Sequence, residues 1–232
     1  MMMAGIAHAT PSTQIWIPST DIQGYKVFHF GFDAYVKTER QDNGTREPAV
    51  INNGITVGVL PFKKIQAEVG IDQRVTGTEP ADSNPLYFNL KVGTPEGSFF
   101  EGSPAFAIGG YDFGIENNAS NYNIVYGLVA KTFPVGRFSV GYFSGSDELL
   151  LDDKGKKDNN GILASWDRSM KEVSDKLWFA VDYMGTKSGY GALTAGFSWK
   201  FADNVGVIFG YDIYNNRDLK PTATIQVDMD LK

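Results

Sequence analysis

Residues able to do acid–base, nucleophilic or metal chemistry are scarce in this chain. The sequence of 232 residues holds no cysteine and two histidines, His8 and His29. That removes disulfide scaffolds, thiolate metal sites and cysteine nucleophiles together. His29 has no serine and third polar partner arranged around it as a hydrolase would need, and it reads as a polar residue lining an interior. The run Asp152-Asp153-Lys154-Gly155 offers carboxylates without the alternating spacing of a calcium loop, so it reads as a solvated loop. No glycine-rich phosphate loop and no His-Glu metal motif occurs. The expectation is therefore no enzyme, no metal and no cofactor. A formal charge of −6 also argues against a nucleic-acid partner, which would call for a basic face.

The chemistry that remains lies in charged residues alternating with apolar ones. In a strand every second side chain shares a face. Phe28, Phe30, Phe32, Ala34 and Val36 fall opposite His29, Asp33 and Lys37. Val69 and Ile71 fall opposite Glu68, Asp72 and Arg74, and Leu90 and Val92 opposite Lys91. Further on, Phe197 and Trp199 oppose Ser198 and Lys200, and Ile225 and Val227 oppose Gln226 and Asp228. Twelve such segments are expected: 26–37, 50–60, 65–75, 85–93, 104–115, 122–132, 137–146, 161–170, 176–187, 190–201, 204–214 and 222–231. Two are weak. Segment 161–170 has few apolar residues, and in 104–115 Phe106 and Ile108 share a face with Asp112. No stretch keeps a helical period, so the chain is expected to be all-β. No apolar run reaches the 18 or so residues of a membrane helix, which leaves strand-crossed membrane proteins open.

Between segments, short links alternate with longer polar ones. Pro61 to Lys64, Phe133 to Gly136, Lys171 to Asp175 and Ala202-Asp203 are tight, whereas 38–49, 76–84, 147–160 and 215–221 are long. The link 94–103 and the pair Ser188-Gly189 break the rule. Strands near ten residues suit a tilted membrane span better than an ordinary sheet. Aromatics on the apolar faces fall into two groups by strand end. Tyr111, Tyr122, Tyr142, Tyr183 and Tyr211 sit toward the long loops; Phe133, Phe138, Trp199 and Phe201 sit toward the short turns. Two such belts match the two interfaces of a bilayer.

On these grounds the chain resembles the bacterial outer-membrane β-barrel class, in particular small porin-like barrels of about twelve strands. The resemblance covers residues from about 26 to 231 and is architectural. It departs at the end, where Lys232 stands in place of a terminal aromatic. It implies a transmembrane antiparallel up-and-down β-barrel in the outer membrane, over residues 26–232. A segment 10–25 would lie in the periplasm. Residues 1–9, where Ala7-His8-Ala9 has the form of a signal-peptidase site, would be the remnant of a signal peptide. The expected partners are outer-membrane lipid and ions or small polar solutes, with the barrel a monomer.

The expected lumen-lining residues are Asp33, Glu68, Asp72, Arg74, Lys91, Asp112, Arg137, Asp182, Lys200, Asp212 and Asp228. Being water-facing, Glu68 is expected to tolerate replacement by Arg. The acidic excess suggests a channel with cation or neutral preference. The same residues, paired into a closed plug, would instead make a scaffold or adhesin working through its external loops. Two segments are placed to obstruct a lumen: Gln14 to Pro18, before the first strand, and Glu148 to Leu151, in the longest loop.

Overall fold

The computed structural model describes residues 12–232; the expected signal-peptide remnant at 1–9 lies outside the described residues. Twelve strands follow in order: β1 (Phe28–Lys37), β2 (Val50–Gly58), β3 (Gln66–Val75), β4 (Leu86–Thr94), β5 (Ala105–Gly114) and β6 (Asn121–Phe133), then β7 (Gly136–Ser144), β8 (Asn160–Ser169), β9 (Leu177–Met184), β10 (Ala192–Ala202), β11 (Val205–Tyr214) and β12 (Thr222–Leu231). Each pairs antiparallel with its sequence neighbour, and β1 pairs with β12 from Phe28↔Leu231 to Lys37↔Thr222, closing the barrel. Closure removes the unpaired edges that an open sheet would present.

Alternation decides what each face meets. Along β1, Phe28, Phe30, Phe32 and Val36 are exposed on the outside, whereas His29 and Asp33 are buried inside. The same holds for Leu86, Phe88, Leu90 and Val92 of β4 against Tyr87, Asn89 and Lys91. Dozens of large apolar side chains are thus turned outward, which in water would be an untenable surface and in hydrocarbon is the required one. The architecture is that of an outer-membrane barrel.

Two belt assignments are corrected. Tyr111 and Tyr122 face the interior, where both pack against an apolar cluster and ring against ring with Tyr190, at centroid distances of 6.5 and 5.3 Å. For Tyr111 the cause is a bulge. Asp112 adopts φ +56°, and the β5–β6 register shifts between Tyr111 and Phe113, so two successive residues point inward. The bulge also explains the conflict within β5, where Phe106 and Ile108 are outside although Asp112 is inside. For Tyr122 the cause is an interior face that is itself apolar. Ile124, Tyr126, Leu128 and Ala130 of β6 point inward, so polarity could not tell the faces apart. Tyr142, Tyr211, Phe133, Phe138, Trp199 and Phe201 are exposed on the outside, and Tyr183 is half-buried.

Candidate functional site: a filled lower lumen and an open vestibule

The barrel interior is not hollow throughout. Residues 12–20 are folded inside it as a narrow hairpin, corrected from the periplasmic segment expected for 10–25. The turn is closed by Gln14 N donating to Ile17 O (2.8 Å) and Ser19 N to Ser12 O (3.0 Å). Its tip, Ile15-Trp16-Ile17, is apolar because it meets an apolar wall. Ile17 joins Ile124, Tyr126, Leu128, Phe143, Leu163 and Met184, together with Leu150, which the long loop 145–159 folds inward. Ile15 packs with Trp178, Ala180 and Ile208. It lies over Gly196 and Gly210, where an added Cβ would come within 3.0 and 2.8 Å of the Ile15 side chain. Trp16 stands edge-on to Tyr35 and Tyr214, at 5.5 and 5.9 Å, and its indole N–H donates to Tyr190 O (2.6 Å).

A hairpin with no sheet partner needs other acceptors and donors for its backbone. The lower lumen supplies them. Asp182 accepts from the backbone N–H groups of Ile15 (2.8 Å) and Trp16 (3.0 Å). Lys91 donates to the carbonyls of Ser12, Ser19 and Asp21 (2.8, 3.3 and 2.6 Å) and lies 3.2 Å from Glu68. Glu68 in turn accepts from Ser12 Oγ (2.9 Å) and Gln23 N (2.7 Å). Gln14 donates to Asp167, and Gln226 to Ile15 O. Arg137 bridges Asp167 (2.9 Å) and Asp21 (2.7 Å). Four of the expected lumen-lining residues, Glu68, Lys91, Arg137 and Asp182, therefore hold protein rather than meet bulk water.

The remaining expected residues divide again. His29 bonds Asp230 (2.7 Å) and lies 3.3 Å from Asp228, low on the seam between β1 and β12. Asp212 accepts from Thr194 (3.1 Å). Lys200 sits at the short-turn rim, 3.1 Å from Asp203. Asp33, Asp72, Arg74 and Asp112 line a cavity of about 490 Å³ that opens between the long loops. Its floor is the hairpin, through Thr13, Ile15, Trp16 and Pro18. Its walls add Tyr35, Asn52, Tyr87, Tyr111, Tyr122, Tyr190 and Tyr214. Leu149 of the longest loop reaches the same space.

Within this vestibule the charges are unequally balanced. Arg74 is held by both carboxylate oxygens of Asp112 (2.6 and 3.1 Å), donates to Tyr190 OH (3.2 Å), and lies 4.6 Å from the Tyr87 ring. Tyr190 OH also donates to Asp112. Lys37 sits 4.2 Å from the Tyr214 ring and 3.9 Å from Glu47. Asp33 and Asp72 meet only carboxamides. Asn52 Nδ2 lies 3.4 Å from each of them, and Asn89 donates to Asp72 at 2.7 Å. At the rim Asp82 accepts from Thr76 N (2.6 Å) and Thr76 Oγ1 (2.9 Å), and those bonds hold its carboxyl below the usual range. Among the described residues no three His, Asp or Glu side chains are grouped to hold a metal ion.

Sequence reasoning missed Tyr35, Asn52, Tyr190 and Tyr214. The first shares the inward face with Asp33 and Lys37, so period 2 alone could have found it. The finding that the lower lumen is occupied had one signal, an apolar Ile15-Trp16-Ile17 ahead of the first strand.

No protein-family model matches the chain, and no curated protein matches it. Solved structures with a similar fold include the NanC porin, 10% identical over 88% of this chain and 99% of that one (TM-score 0.48). OmpF of Salmonella typhi is 9% identical over 88% and 96% (TM-score 0.45). The outer membrane phospholipase of Salmonella typhi is 11% identical over 88% and 90% (TM-score 0.49). At such identities these are likenesses of architecture. They correct one expectation. Because barrels of this shape include a phospholipase, the reading of the chain as a non-enzyme does not stand on its fold.

Proposed function

We propose that this porin-like barrel passes ions or small polar solutes across the outer membrane, with preference for cations or neutral species. The observation that carries the reading is the open vestibule with Asp33 and Asp72 on its wall and no basic side chain paired to either. Fixed carboxylates in a narrow cleft raise the local cation concentration, an effect screened over about 10 Å at 0.1 M salt. Below the vestibule the hairpin fills the path, so passage goes with displacement of residues 12–20. The polar grip on the hairpin favours a second reading, a closed barrel that acts as a scaffold or adhesin through its loops.

Single-channel recording in planar bilayers separates the two. The intact chain should show brief openings with a cation-side reversal potential, and Asp182→Asn should lengthen them by loosening the hairpin. Anion preference in the intact chain would overturn the selectivity. Silence from both proteins would leave the closed barrel. Orientation is tested by cysteines at Arg46, Lys154 and Lys63, all exposed. The first two should react with an impermeant thiol reagent on intact cells, and Lys63→Cys should not.

A further inference from the structure

On the wall between β1, β2 and β3, two buried side-chain oxygens facing one neighbourhood lack a donor. Asp33 lines the vestibule yet is buried to 3% exposure, and its Oδ1 has no hydrogen-bond partner. Asn52, 7% exposed, likewise leaves Oδ1 unpartnered. The Asn52 amide nitrogen is stretched between two carboxylates at 3.4 Å each, long for a charge-assisted bond. Asp72 completes the group, with carboxamide partners only. The other charged residues lining the vestibule face one another: Arg74 is held by Asp112, and Lys37 lies near Glu47 and over the Tyr214 face. Buried acceptors left open cost free energy unless something donates to them.

The chemistry of the missing occupant follows from what surrounds it. It must donate hydrogen bonds and carry positive charge. It must also tolerate aromatic walls, because Tyr35 follows Asp33 by two residues on the same face and Trp16 stands 5.5 Å from Tyr35. Among the described residues no group of three acidic or histidine side chains gathers there to hold a metal ion. An anion meets two unpaired carboxylates. A neutral sugar leaves the charge uncompensated. An ammonium brings three donors and one charge on a carbon chain, and aromatic faces attract it.

We propose that the vestibule binds a small primary alkylammonium ion, its head group on Asp33, Asn52 and Asp72 and its carbon chain against Tyr35 and Trp16. The site rests on the solute-passing reading for its use, but it can be tested without any conduction. Because Trp16 is the tip of the hairpin, an occupant of this site would touch the element that fills the lumen.

Isothermal titration of the intact, detergent-solubilised barrel with n-butylammonium should give saturable binding. Tetramethylammonium keeps the charge without N–H donors, and 1-butanol keeps the chain without the charge. Each should bind at least about tenfold more weakly, the scale of one lost charge-assisted bond. Asp33→Asn and Asp72→Asn, which preserve shape, should each weaken butylammonium by about tenfold, and Asp153→Asn in an exposed loop should leave it unchanged. Equal affinity for all three probes, or unaltered butylammonium binding in a folded Asp33→Asn or Asp72→Asn barrel, would overturn the site. So would the absence of saturable binding to the unmodified protein. Binding without conductance would remove the transport reading and leave the site; conductance without binding would do the reverse.

Discussion

The two halves of the lumen use the same residue types for opposite ends. In the lower half, Glu68 and Lys91 are wholly enclosed, and their bonds end on the hairpin and on Asp21 and Gln23 just after it. In the upper half, Arg74 and Asp112 form a closer pair, at 2.6 Å against 3.2 Å, but Arg74 keeps about a fifth of its side chain in the vestibule. An inward charge therefore says that a group is off the lipid face. It does not say whether water or protein satisfies it, and that depends on what else the chain brings into the barrel.

The largest expected effect contrasts these pairs directly. Lys91→Met strips Glu68 of its cation and leaves the carbonyls of Ser12, Ser19 and Asp21 without their donor, which should cost about 3–5 kcal/mol in urea unfolding. Arg74→Met should cost clearly less, because vestibule water can solvate Asp112. Equal losses would erase the distinction between the halves. Next come the walls. Val69→Arg or Phe197→Arg should lose about 2–4 kcal/mol on refolding into vesicles, as a charge meets hydrocarbon. Glu68→Arg, on the other face, was expected from sequence to be tolerated. With Lys91 3.2 Å away and no exposure it should fail as well. A normally folding Glu68→Arg barrel would show that the lower lumen is open to water.

Asp182→Asn tests the grip on the hairpin alone. Removing the charge from two backbone bonds should cost about 1.5–3 kcal/mol and speed hydrogen exchange at Ile15 and Trp16, with the strand amides unaffected. Unchanged exchange would show that packing, rather than these bonds, holds the tip. The smallest effect lies outside the barrel, at Glu96 in the link 95–104. Partial burial raises its carboxyl, but bonds from Lys131 (2.6 Å) and Thr132 N (3.1 Å) outweigh this and hold it below its usual 4.5. A depressed folded value means that the pair contributes fully above about pH 4.5 and is lost as the pH falls further. The contribution should be under about 1 kcal/mol. A stability that rose on acidification through this range would contradict the assignment.

The wall was legible because alternation against lipid is a strict rule. Phe28 to Val36 and Leu86 to Val92 could belong to no other face, and all twelve strands fall where the period put them. The interior was less legible because no such rule governs it. Ile124, Tyr126 and Leu128 are apolar on the inward face for a reason that lies more than 100 residues away, in Ile17. The bulge at Asp112 is a backbone choice, and only the clash of Phe106 and Ile108 with Asp112 hinted at it. Asp33 and Asp182 looked alike in sequence. One faces the vestibule and the other holds a peptide, because Ile15 and Trp16 reach only the second.

The seam between β1 and β12 joins Phe28 to Leu231, nearly the two ends of the described chain. Contacts so distant in sequence are the slowest to form. The hairpin is joined to β1 by residues 21–27, and its Ile15 carbonyl is bonded by Gln226 of β12. Both strands of the seam thus touch the hairpin, β1 through Tyr35 against Trp16 and β12 through Gln226. A wall that sealed empty would have to be threaded through its mouth, whereas a wall that seals around residues 12–20 closes with both edges of its seam already in contact with the same short segment.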